Sequence, residues 1–120
     1  MNKYTASALS AEAASGLRVL VVSHSRRAEL DAFGEFEALA ESAGASRVRR
    51  ANGAERIEFP SGGFLAFASA RARAGRGICV DLVFVDWDVE TELSPSERAT
   101  FYEDVSPYLA TSARHELVRA

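Results

Sequence analysis

The chain has little of what usually fixes a small fold from outside: one cysteine, one methionine, one tryptophan and three prolines in 120 residues. With only Cys79 there is no internal disulfide and no multi-cysteine zinc site, and its strand setting predicts a buried small hydrophobe. No apolar run approaches the ~18 residues of a membrane span, so a soluble protein with no membrane partner is expected. The opening stretch MNKYTASALSAEAASG lacks a cationic start followed by an apolar core, which argues against a secretory leader and for a cytoplasmic location. His24 and His115 lie far apart with no second histidine or cysteine nearby, which disfavours metal ligation or nucleophilic catalysis by either. Internal repeats and low-complexity tracts are also missing.

What is present is ordinary globular composition, 48% hydrophobic and 26% charged, in a length that suits one domain. Residues 1–15 read as a tail or short helix and 16–120 as a single α/β domain. The net charge of −3 is unevenly spread. Arg47 to Arg76 carries a net +5, and Asp81 to Asp104 a net −7. Arginine accounts for every basic residue after Lys3.

The apolar run LRVLVVS, Leu17 to Ser23, predicts a strand buried on both faces, as in a parallel sheet. A helix should follow, capped by Ser25, with Leu30, Phe33, Phe36, Leu39 and Ala43 on its apolar face and Gly44 ending it. ERIEFPSGGFLAFAS predicts a hairpin, with strands near Arg56 to Phe59 and Phe64 to Ala68 around a Pro-Ser-Gly-Gly turn. The Ser61–Gly63 glycines lie inside that hairpin and not before a helix, so turn geometry explains them. Arg71 to Gly77 reads as an arginine-rich loop. Val80 to Val85 predicts a second buried strand ending on Asp86, where open α/β sheets bind ligands. SPSE is a capping box with proline at the first helical position. Its helix should turn Phe101, Tyr102, Val105 and Leu109 inward, with Pro107 kinking or ending it. HELVRA suits a last short strand.

This ordered set, RVLVVSHSRR, then IEFPSGGFLAFAS, then GRGICVDLVFVD and a helix ending VSPYLA, resembles the ATPase domain of the large terminase subunit, the phage DNA-packaging motor. The likeness spans about Gly16 to Ala113. It implies a P-loop-NTPase-like three-layer fold with a mainly parallel central sheet and a β-hairpin. The matching positions are Phe59, Gly62 and Phe67 in the hairpin, Gly75, Arg76 and Gly77 in the loop, and Leu82 to Asp86 in the Walker B strand. Two departures follow. The phosphate-cradling G-x-x-x-x-G-K-[ST] is absent from the chain, and no lysine after Lys3 can reach a phosphate. Where the family has Asp-Glu, this chain has Asp86-Trp87, which keeps the magnesium-holding acid and loses the residue that polarises water.

The expectations are therefore a DNA-packaging accessory or one portion of a split motor, inactive as an ATPase alone. The alternative is an interaction or regulatory protein that reuses the fold to bind another motor or a host factor. Arg71, Arg73 and Arg76 are the candidate DNA contacts, through the phosphate-matching fork of arginine; the competing reading pairs them with the acids that follow. Asp86 and Asp88, on one side of an extended chain, are the candidate ligands for weakly held Mg2+; the competing reading is an acidic strand end leading into a capped helix, with Trp87 filling a core edge. The expected partners are DNA or a packaging-motor subunit.

Overall fold

A computed structural model describes residues 3–51, 54–70, 79–109 and 116–119. The elements in chain order are α1 (Lys3–Ala14), β1 (Arg18–Ser23), α2 (Arg26–Ala43), β2 (Arg47–Arg49), β3 (Arg56–Glu58), β4 (Phe64–Ser69), β5 (Leu82–Val85), α3 (Trp87–Glu92), α4 (Pro95–Leu109) and β6 (Glu116–Arg119). They build one mixed six-stranded sheet of order β2-β3-β4-β1-β5-β6. The strands from β4 to β6 run parallel, and β3 pairs antiparallel with both β2 and β4.

The unbroken apolar run of β1 has a direct structural cause. Side chains alternate across a strand, and here both faces are covered. Val19 and Val21 join Phe33, Phe36, Leu65, Phe67 and Phe84 in one core. Leu20 and Val22 join Ala66, Val83, Val85, Val89 and Phe101 in the other. Helices α1 and α2 cover the first face and α3 and α4 the second, giving three layers. Phe67 anchors the first core, with Phe33 and Phe36 edge-on at 5.3 and 5.4 Å between ring centres.

Local chemistry sets the helix ends. The Ser25 hydroxyl accepts the Ala28 N–H at 3.2 Å, and Gly44 takes the left-handed conformation, φ 88°, that terminates α2. The Ser94 N–H donates to Glu97 at 2.9 Å and the Glu97 N–H returns to the Ser94 hydroxyl at 3.2 Å, completing the capping box of α4. That helix continues past Pro107 to Leu109. Phe101 is buried and Tyr102 partly so, while the side chains of Val105 and Leu109 lie outside the described residues.

α1 belongs to the first core through Ala6, Leu9 and Ala13. Its last turn presses on the hairpin turn: a β-carbon on Gly63 would sit 1.9 Å from the Ala13 carbonyl oxygen, and the Ser61 hydroxyl donates to that same oxygen at 3.3 Å. The SGG segment is thus a turn packed beneath a helix end.

Four sequence expectations need correction. Leu30 is 45% exposed, because the buried stripe of α2 runs through Glu29, Ala32, Phe33, Phe36 and Ala40. Cys79 is exposed, since β5 begins only at Leu82. Trp87 is 59% exposed and fills no core edge. Finally, Asp86 and Asp88 do not alternate along a strand, because α3 starts at Trp87.

Candidate functional site at the ends of the parallel strands

β1 leads into α2 on one face of the sheet, and its neighbour β5 leads into α3 and α4 on the other. Adjacent parallel strands whose connections leave to opposite faces open a crevice at their C-terminal ends, the usual ligand position in open α/β sheets. His24, directly after β1, and Asp86 and Asp88, directly after β5, meet at this crevice.

The Asp86 carboxylate caps α3, accepting the Trp87 N–H at 2.9 Å, and its own N–H donates to the Val22 carbonyl at 3.0 Å. Burial pushes the Asp86 carboxyl up from the ordinary carboxylate range, nearby Asp88 adds to the shift, and the Trp87 N–H opposes it. Asp88 turns toward β1, one of its carboxylate oxygens lying 2.8 Å from His24 Nδ1. Its other oxygen is buried without a hydrogen-bond partner.

Farther along the same edge, Arg26 at the start of α2 forms a bidentate pair with Glu55 and also contacts Glu29. Both carboxylate side chains are almost wholly buried, at 3% and 4% exposure. The hydrogen bonds it donates to Glu55 and then to Glu29 hold the Arg26 guanidinium firmly protonated. At the opposite end of β1, Arg18 and Asp81 close another bidentate pair, at 2.9 and 3.1 Å, tying β1 to the entrance of β5.

The structure therefore brings Asp86 and Asp88 together, by a strand-to-helix corner, and adds His24. No group of three histidine, cysteine or carboxylate side chains suited to a metal ion occurs among the described residues. Arg71, Arg73 and Arg76 lie outside the described residues. Ala70, the last described residue before them, lies beside the end of β1, its N–H donating to the Ser23 carbonyl at 2.7 Å. A shallow groove between α1 and α2 is lined by small side chains, Ser7, Ser10 and Ala11 among them, and is separate from the strand ends.

Sequence reasoning missed the His24–Asp88 and Arg26–Glu55 contacts. The usable signal was positional, since His24 and Asp88 each follow a buried strand closely. Among the described residues no helix is long and apolar enough to cross a membrane. No family model, curated protein or solved structure matches the chain.

Proposed function

We propose that this chain is a terminase-like accessory or split portion of a DNA-packaging motor, binding to its partners without turning over ATP alone. The observation that supports this reading is Asp86, an acid directly after a buried parallel strand and committed to capping α3, at the position the resemblance matches to a Walker B aspartate. Its successor, Trp87, points to solvent and offers no base. The resemblance of the ordered motifs supplies the link to packaging, and the missing phosphate loop and lysine argue against independent nucleotide binding, since those groups provide most of the hold on a triphosphate. Any Mg2+ at Asp86 and Asp88 would be weakly held, as carboxylates with few further ligands bind hard cations poorly.

The exposed indole of Trp87 favours a second reading, a regulatory protein that docks on another motor through this edge. Large aromatics on a surface are common anchors of protein interfaces. Turnover by the purified chain tests the main proposal. No magnesium-dependent ATP hydrolysis above background is expected, and robust hydrolysis abolished by Asp86→Ala would refute it.

A further inference from the structure

We propose that Arg47, Arg49 and Arg56 form a contact surface for the phosphate backbone of DNA on the open face of strands β2 and β3. Val48 and Ile57 point into the first core, so alternation sends Arg47, Arg49, Arg56 and Glu58 to the opposite face. That is the face covered by α3 and α4 over the middle of the sheet, where the second core gathers residues of β4, β1 and β5 and none of β2 or β3. Among the described residues, the side chains on this face of β2 and β3 are Arg47, Arg49, Arg56 and Glu58.

The register arranges these side chains as a compact block. Arg47 faces Glu58 and Arg49 faces Arg56 across the ladder, with neighbours along a strand about 7 Å apart and across the pair about 5 Å. The block holds three cations and one carboxylate, Glu58. Glu58 reaches Arg49 and Arg56 only at 3.6 and 3.7 Å, longer than hydrogen bonds, and no carboxylate pairs with Arg47 among the described residues. The Arg56 guanidinium carbon lies over the Phe64 ring, 3.7 Å from its centre, and its Nε is buried without a hydrogen-bond partner. A guanidinium attracted to an aromatic face is held in place while its remaining donors stay available. Fixed, incompletely neutralised arginines at this spacing suit the regularly repeated charges of a phosphate backbone. Charge on an edge strand also deters sheet-to-sheet pairing, but that role produces no salt-dependent affinity for DNA.

The inference does not rest on the packaging reading: DNA binding through this face without any motor partner would leave it intact. It also rests on residues other than Arg71, Arg73 and Arg76. The test is fluorescence anisotropy with a labelled mixed-sequence duplex at 50 and 200 mM NaCl, about the range over which phosphate contacts lose their hold. The wild-type chain, Arg47→Ala/Arg49→Ala, Glu58→Gln and Arg71→Ala/Arg73→Ala/Arg76→Ala are compared, each after its melting curve confirms folding. The double variant should weaken binding by about tenfold at the lower salt and reduce the slope of log affinity against log salt by about two. Glu58→Gln should tighten binding, a change of opposite sign that damage to the fold would not produce. Absence of wild-type binding at 50 mM NaCl overturns the proposal. So does unchanged affinity and slope in the double variant, or a poly-glutamate peptide that binds as tightly as the duplex and responds to the same changes.

Discussion

Replacing Arg26 by alanine should destabilise the protein severely although the residue is itself 36% exposed. The cause is what it leaves behind: Glu29 and Glu55, with side chains 3% and 4% exposed, would lose their shared cation. Removing one partner from a buried ion pair costs about 3–5 kcal/mol, most of it from the stranded charge. Water reaching the site through the third of Arg26 that is open places the expectation at the lower end, about 3 kcal/mol. For a domain of this size that is a fall in Tm of roughly 12 °C. Urea unfolding at pH 7 followed by circular dichroism measures it. Adding Glu29→Gln and Glu55→Gln to the alanine variant should recover most of the loss, because neutral amides are far cheaper to bury than unpaired carboxylates. A loss below about 1 kcal/mol, or no recovery from the glutamines, would refute the assignment of these groups as a buried, mutually dependent set.

Two further stability effects follow from the same structure. The Asp86 carboxyl is pushed up by burial, so its favourable contribution is complete in acid, below the unfolded carboxylate value, and is lost as pH rises through the higher folded value. Asp86→Asn retains an oxygen to cap α3 and should be more stable than wild type at pH 7, with the advantage vanishing below pH about 3; an advantage that persists in acid would contradict this account. Gly63→Ala should cost about 2–3 kcal/mol by overpacking, because the added carbon would lie 1.9 Å from one backbone carbonyl oxygen and 2.8 Å from another. An unchanged urea midpoint would mean that α1 does not press on the hairpin turn.

The legible parts of the fold were those where local pattern and tertiary context agree. β1 and β5 are apolar on both faces because helices cover both, and that condition is written directly into their composition. The caps at Ser25, Gly44 and Ser94 were readable because they act within one turn. β2 was not, since Arg-Val-Arg offers a single apolar residue and exists as a strand by pairing with β3. α3 escaped notice because its cap, Asp86, directly follows the last residue of β5, so the segment reads equally well as extended chain. The misplacement of Leu30 has a particular cause: Arg26 draws Glu29 inward, and the buried face of α2 is rotated by one residue. Trp87 shows the limit of hydrophobicity as a guide. Val89 and Leu93 take the inward positions around α3, and the indole, at the first helical position, is left outside. Of the candidate site, Asp86 was readable as a strand-end acid, whereas its meeting with His24 and Asp88 depends on β1 and β5 being neighbours in the sheet.

The central proposal is that Asp86 stands where a Walker B aspartate would in a chain that does not hydrolyse ATP by itself. Steady-state phosphate release by the purified protein with ATP and Mg2+, measured for wild type, Asp86→Ala and Trp87→Glu, tests it most directly. The account predicts background rates for all three, since even a restored glutamate acts on no bound triphosphate without a phosphate loop. Magnesium-dependent turnover by the wild-type chain that disappears in Asp86→Ala would contradict it and make the strand-end crevice a working active site.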